Sequence, residues 1–297
     1  MPNKLRKMTL EKKHNLTGWA FLAPATFLIA VFSFWPMIKA LVLSFQTGKG
    51  RNMQMAGFTN YIRMFQDDVF IQSIKNTFFY FILQVPIMLV VALVLACILN
   101  KKDLRFKGFF RTMIFVPCTT SLVAYSIIFR SLFANNGLVN YVLVNIGILD
   151  KPYNFLTQPF AAKMVILLGL LWRWTGYNMV FFLSGLQNIE YSVYEAAKID
   201  GASAIQTFFK ITVPLLKPTI LLTAIMSTNG TLQLFDESIN LTDGGPANAS
   251  ISMSHYIYNL CFKYVPNFGY AAAMSFFILL LVAVLAFIQM RVGDKRD

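Results

Sequence analysis

The stretch Glu190-Tyr-Ser-Val-Tyr-Glu195-Ala-Ala-Lys-Ile-Asp200-Gly-Ala-Ser-Ala-Ile-Gln-Thr-Phe-Phe-Lys210-Ile-Thr-Val-Pro-Leu-Leu-Lys-Pro218 separates two long apolar runs and is too polar to lie in lipid. Two patterns punctuate it. Ser192 with Glu195 fits an S-x-x-E capping box and Ser203 with Gln206 fits S-x-x-Q, in which two side chains satisfy each other's backbone N–H groups at a helix start. Between them Asp200-Gly201 is a turn signal, with Gly201 suited to the left-handed position just past a helix end. The reading is helix, turn, helix, after which Pro214 and Pro218 break the second helix and open the next apolar run. Two short helices projecting from a bundle make a docking device. Ala196 and Ala197 remove bulk, Val193 and Tyr194 offer apolar anchors, and Glu195 offers a charge. On periodicity alone, an ordinary amphipathic loop helix capped by Glu195 fits the same pattern.

The flanks decide what kind of bundle this is. Of 297 residues, 57% are hydrophobic and 13% charged, where a soluble domain has roughly 25% charged. Mean hydropathy is +0.58. This excludes a disordered chain, a disulfide scaffold and an ordinary cytosolic enzyme, and the surplus apolar surface must face lipid. A spanning helix needs about 20 mostly apolar residues. Six candidates meet this: Trp19–Phe45, Phe78–Leu99, Phe109–Phe133, Ala161–Leu186, Thr219–Phe235 and Ala271–Met290. Pro36, Pro86 and Pro117 fall inside them, where neighbouring helices can take the freed carbonyls. The first run is far longer than a signal-peptide core and reads as an uncleaved span.

The net charge of +13 would suggest nucleic acid in a soluble protein. Here the basic residues sit beside apolar runs and no nucleic-acid partner is expected. With the N-terminus in the cytoplasm, the inner segments carry sixteen Lys and Arg against six outside, which places both termini inside. The expected organisation is a basic cytoplasmic N-terminus at 1–17, a first span and outer loop at 18–70, and a main transmembrane domain at 71–290. Within that domain lies a cytoplasmic loop at 188–217, and a tail follows at 291–297. Two outer segments, Phe58–Thr77 and Gly137–Leu149, have helical apolar spacing and read as interface or bundle-packing helices. Cys97, Cys118 and Cys261 stand apart from one another and from His, and read as buried apolar residues rather than metal or redox groups.

Two polar clusters interrupt the apolar runs. The fourth carries Trp172, Arg173, Trp174, Thr175, Tyr177 and Asn178. The fifth carries Ser227, Thr228, Asn229, Thr231, Gln233, Asp236 and Glu237. Polar groups are costly in lipid, so both are expected to face a cavity. Amides and carboxylates beside aromatic rings suit a sugar, which offers hydroxyls and an apolar face. Asn229-Gly230-Thr231 suggests a helix break of the kind that lines transport sites. Interfacial Trp and Tyr, helix-linking Ser, Thr and Asn, and pairing of Arg173 with Asp236 or Glu237 account for the same residues without a ligand.

The loop resembles the EAA loop of binding-protein-dependent ABC importer permeases. Glu195-Ala196-Ala197, Asp200-Gly201-Ala202 and Ile211-Thr-Val-Pro214-Leu carry the likeness, with Val213 where Leu is usual. Leu241-Thr-Asp243-Gly244-Gly245-Pro246-Ala-Asn resembles the L-T-x-G-G-P loop of carbohydrate permeases, in particular the maltose (MalF-like) and glycerol-3-phosphate (UgpA-like) subunits. Trp172–Asn178 and Asn60-Tyr61 fit the same group, and the resemblance spans Gly18 to Met290. It implies an all-α, six-span, type I importer permease in a prokaryotic inner membrane. Tyr194, Glu195, Ala196, Ala197, Asp200 and Gly201 would form the surface gripped by the ATPase. Asp243, Gly244, Gly245 and Pro246 would help form the outer mouth. The implied partners are a sister permease, two ATPase copies, an extracytoplasmic solute-binding protein and a sugar. Alignment on the two loops puts the maltose relative's sugar contacts at Leu170, Arg173, Trp174 and Tyr177 and at Ser227, Gly230, Thr231 and Leu234. Only Tyr177 and Ser227 keep the residue type, and Arg173 would suit an anionic sugar or glycerol-3-phosphate.

No G-x-x-x-x-G-K-[ST] loop, H-E-x-x-H or dinucleotide fingerprint occurs, and two His cannot supply much catalysis. No cofactor or metal is expected, and ATP would be handled on separate subunits. The rivals are a membrane enzyme, for which no cluster of acids or His is found at one face, a purely structural membrane partner, and an ion-coupled secondary transporter. The last would need titratable groups near mid-membrane, and Arg173 and Asp236 are few.

Overall fold

A computed structural model describes residues 10–49, 52–101 and 103–293. The basic residues Lys4, Arg6, Lys7, Arg51, Lys102, Lys295 and Arg296, used above to orient the chain, lie outside the described residues. Fifteen helices, three π turns and one hairpin make up the regular structure of the described residues. Four helical segments are long and apolar enough to cross a membrane, and six result if each of two bent helix pairs counts as one span.

The first run is α1 (Leu10–Ile29) and α2 (Trp35–Ser44), joined by a π turn at Ala30–Phe34. Pro36 supplies no N–H to the preceding turn, and the widened turn absorbs the lost bond. Its apolar length is exposed, and only its end is held. A hairpin, β1 (Gln46–Lys49) on β2 (Asn52–Met55), follows, and α3 (Thr59–Met64) clamps it. Buried Asn60 donates to the Ser44 and Gln46 carbonyls at 2.9 and 2.7 Å, while the Tyr61 and Ser44 hydroxyls meet at 2.8 Å. The hairpin is absent from the sequence expectation.

The second span, α4 (Asp68–Asn100), starts ten residues before the expected Phe78. Asp67 caps it by accepting from the Val69 and Phe70 N–H groups at 2.9 and 3.2 Å. The expected separate helix over 58–77 is therefore α3 plus the first turns of α4. Those turns are polar because they bind the outer loop: Asn76 Nδ2 donates to Ile251 O at 2.9 Å, and Thr77 Oγ1 accepts from the Met253 N–H at 3.2 Å.

The third run is not the single helix expected over Phe109–Phe133. It is α5 (Lys107–Thr119) and α6 (Leu122–Leu132), bent by 98°. Thr119 and Thr120 hydroxyls both donate to the Val116 carbonyl, and Thr120 and Ser121 are extended. Hydroxyls that bind their own backbone compete with helix continuation, and the Pro117-Cys-Thr-Thr-Ser121 run breaks the span. A short helix, α7 (Leu138–Asn145), precedes α8 (Pro159–Gln187), the best buried span. Ala92, Leu93, Ala96 and Leu99 of α4 pack on Met179, Phe182, Leu183 and Leu186 of α8. Gly176 lets α5 approach: a Cβ there would lie 1.9 Å from the Ile114 carbonyl oxygen.

After α8 come α9 (Tyr191–Ile199), α10 (Ala204–Thr207), a π turn at Phe208–Thr212, α11 (Val213–Leu215) and α12 (Lys217–Leu232), with a 71° bend before α12 where Pro214 and Pro218 stand. The helix runs unbroken through Asn229-Gly230-Thr231, against expectation, and ends only at Leu232. Asp236 and Glu237 are therefore not on the fifth span but on α13 (Asp236–Thr242), which returns into the bundle. Leu234 and Leu241 bury against Tyr125, Phe129, Val165 and Leu170, and the Ser252 hydroxyl takes the Leu234 carbonyl. Next come α14 (Met253–Tyr258), a π turn at Asn259–Lys263 and the last span, α15 (Phe268–Gly293). At the start of α4 Asp67 accepts from Tyr256 and Tyr270 hydroxyls, both at 2.7 Å, joining α4, α14 and α15.

Candidate functional site: an intramembrane cavity and a helix–turn–helix loop

A cavity of about 450 Å³ opens where α4, α8, α12 and α13 meet. Leu170, Arg173, Trp174, Tyr177, Ser227, Gly230, Thr231 and Leu234, the eight aligned positions, all line it. So do Asn178, Gln233 and Asp236. Of the two expected clusters, Trp172, Thr175, Thr228 and Asn229 do not. Trp172 stacks on Tyr125, with centroids 5.8 Å apart, on the other side of α8. Asn229 is exposed and accepts a hydrogen bond from Gln233. All four miss for the same reason: successive helical residues turn by about 100°, so a contiguous polar stretch cannot face one way.

Residues outside the two expected clusters complete the wall. Gln84 and Met88 come from α4, Leu122 from α6, and Met226 and Phe235 from the fifth-span region. Gln84 had a signal: it is a lone amide in the run Phe78–Leu99. A polar network within the wall knits three helices. Thr231 donates to Gln84 Oε1 at 2.7 Å, Ser227 donates to Asn178 Oδ1 at 3.2 Å, and Asn178 donates to the Trp174 carbonyl at 3.1 Å. Trp174 and Tyr177 rings meet edge to face, with centroids 5.9 Å apart. Arg173 pairs with Glu237 at 3.7 Å, not with Asp236. The cavity offers hydroxyl, amide and charged groups next to aromatic faces in a volume usual for small-ligand sites.

The loop folds as helix, turn, helix. Gly201 has φ +74°, and the Ala202 and Gly201 N–H groups return to Ala197 O at 2.9 Å and Lys198 O at 3.2 Å. The Ser203–Gln206 box is reciprocal, at 2.8 and 3.3 Å. The Ser192–Glu195 box is absent. Helix α9 starts at Tyr191, two residues too early for Ser192 to cap it, and Ser192 donates to Glu190 instead, at 3.3 Å. Glu195, Ala196, Asp200 and Gly201 are exposed. Ala197 is buried and Tyr194 half-buried, so these two hold the loop to its own bundle. Ile199 and Ile205 are 86% and 73% exposed in a polar segment, two apolar anchors outside the expected coupling residues. A second cavity, of about 980 Å³, lies between this loop and the ends of α4 and α8, with Asn100, Lys101, Tyr194 and Lys198 on its wall.

The outer loop is rigidly tied. Asp243 (φ 48°) and Gly244 (φ 76°) are left-handed, and Ser250 Oγ donates to the Gly245 carbonyl at 2.6 Å before Pro246. Asp243 bonds Lys263 at 2.8 Å and lies 3.7 Å from His255 Nε2. His255 is fully buried, with Nδ1 2.9 Å from the Ser238 hydroxyl. Burial pulls its pKa down to about 4, against the opposing pull of Asp243.

Comparison with known proteins fits this architecture. The chain is 51% identical over 292 residues to the lactose transport system permease protein LacF of Rhizobium radiobacter, covering 98% of each. It is 31% identical over 288 residues to the arabinooligosaccharides transport system permease protein AraP of Halalkalibacterium halodurans, covering 96% of this chain and 90% of that one. Its fold matches a chain in the crystal structure of a bacterial alginate ABC transporter in complex with an alginate pentasaccharide-bound periplasmic protein. The TM-score is 0.84 at 25% identity, with 98% of both chains covered. Residues 68–296 match the family of binding-protein-dependent transport system inner membrane components. With its spans, its polar cavity and its exposed helix–turn–helix loop, the chain is a multi-pass membrane transport subunit and belongs to that family.

Proposed function

We propose that the chain is one of two permease subunits of an ATP-driven importer for a sugar, a mono- or oligosaccharide handed over by an extracytoplasmic binding protein. The observation that carries this reading is the cavity wall. The eight positions aligned with a sugar-binding relative converge on one space from α8, α12 and the turn that follows α12, beside aromatic rings. Permeases for lactose and arabinooligosaccharides among its relatives support the substrate class. Met226, Gly230 and Gln233 on the wall are exposed, which suits closure by a sister permease.

In this reading both termini are cytoplasmic. Two ATPase subunits grip the loop through Glu195, Ala196, Asp200 and Gly201, with Ile199 and Ile205 as apolar anchors. Closure of the ATPase pair draws the loops together and opens the cavity outward, and hydrolysis returns it inward. Reconstitution of the chain with its sister, ATPase and binding protein tests this. Labelled lactose accumulates in vesicles only when ATP and the binding protein are both present. Accumulation driven by an ion gradient without ATP contradicts it.

A further inference from the structure

Arg173 and Glu237 are 7% and 4% exposed, and both line the cavity. Their closest atoms, Nη1 and Oε1, are 3.7 Å apart. That is too long for a hydrogen bond, so the charges offset one another without satisfying one another. Among the described residues, Arg173 Nε and Nη1 and Glu237 Oε1 have no hydrogen-bond partner. Buried polar atoms are normally paired, and three unpaired ones at a cavity wall point to a ligand. The arginine is also boxed in by rings, with its guanidinium carbon 5.2 Å from the Trp174 centroid and 5.7 Å from that of Tyr125.

The chemistry selects the ligand. An anion would need a free cation, yet the one cationic side chain on the wall, Arg173, already faces Glu237 at 3.7 Å, and Asp236 is a second acidic side chain there. At low effective dielectric such a wall repels carboxylate and phosphate. A neutral sugar suits it. One hydroxyl oxygen accepts from the guanidinium, and a neighbouring hydroxyl donates to the carboxylate. We infer that Arg173 and Glu237 form a donor–acceptor subsite for two adjacent hydroxyls of a neutral saccharide, and that this pair excludes uronates and glycerol phosphate from the path. The inference rests on the reading of the cavity as a sugar path and names which sugars take it.

The test uses the assembled importer in vesicles, with labelled lactose, its C6 uronate and glycerol-3-phosphate as probes, and assembly checked by co-purification. Wild type accumulates lactose and prefers it at least about tenfold over both anions. Arg173→Gln and Glu237→Gln each lower lactose uptake roughly 10–100-fold, the range for losing a charged hydrogen bond. Glu237→Gln, which leaves the arginine uncompensated, also narrows the preference over the uronate. In the charge-neutral double variant Arg173→Gln/Glu237→Gln, lactose uptake stays low. Recovery of uptake in that variant would make the pair a packing feature and overturn the inference, as would equal wild-type uptake of the uronate. If the wild-type assembly accumulates none of the probes with ATP, the importer reading itself fails and the subsite falls with it.

Discussion

The Thr231 hydroxyl on α12 donates to Gln84 Oε1 on α4 at 2.7 Å, and both side chains are buried. This bond ties α12 to α4 within the cavity wall. Hydrogen bonds between spanning helices contribute about 0.6 kcal/mol on average, up to roughly 2. Thr231→Val and Gln84→Leu are each expected to destabilise the chain by about 1 kcal/mol, and the double variant by less than the sum. Unfolding in detergent across this double-mutant cycle measures the coupling; strict additivity would show that the bond contributes nothing.

Gly176 sets how closely α5 approaches α8. Its missing Cβ would lie 1.9 Å from the Ile114 carbonyl, which is backbone and cannot move aside cheaply. Gly176→Ala is expected to cost roughly 1–3 kcal/mol, the usual penalty for overpacking, despite the better helix propensity of alanine. A thermal melt of the purified chain checks the sign. A variant as stable as wild type would mean that α5 is loosely held.

His255 gives the outer loop a pH dependence. In the folded loop the ring stays neutral down to about pH 4, whereas an opened loop protonates near the ordinary 6.5. The opened state therefore binds one more proton between these values, and stability falls as pH falls through that window. The loss is about 1.4 kcal/mol per pH unit at most. Protection factors for amide exchange over 236–263 should drop between pH 7 and pH 5, and His255→Gln should flatten the change. Equal protection at both pH values in wild type would rule this out.

Much of this was legible in the sequence because apolar length and turn chemistry are local. The long runs, the Asp200-Gly201 turn and the Ser203–Gln206 box need no distant partner. The misses come from side-chain bonds that the apolar pattern does not show, two of them local and one tertiary. Thr119 and Thr120 divert a span by capturing Val116, Asp67 extends another by capping it early, and α13 carries Glu237 back to Arg173. Trp172, in a polar cluster, lies off the wall, and Gln84, outside both clusters, lies on it. A one-dimensional cluster does not show which way each residue faces, and a lone amide far away in sequence can share the wall.

Gly201 is where the loop is most exposed to a single substitution. Its φ of +74° suits glycine, and a Cβ there would meet nothing within 4 Å of this chain. Gly201→Val therefore adds backbone strain of about 1–2 kcal/mol and presents bulk only to a partner. It is expected to abolish ATP-driven uptake while the chain still reaches the membrane, as is Glu195→Lys. Normal uptake by either variant would remove the loop from the coupling surface.

The most direct test of the whole account is a crosslink from Ala196→Cys, on the exposed face of α9, to cysteines placed in the ATPase subunit of the assembled importer. The account predicts a disulfide to the ATPase whose yield changes when ATP is added. A cysteine at 196 that crosslinks only to the extracytoplasmic binding protein, or to no subunit in any nucleotide state, would contradict it.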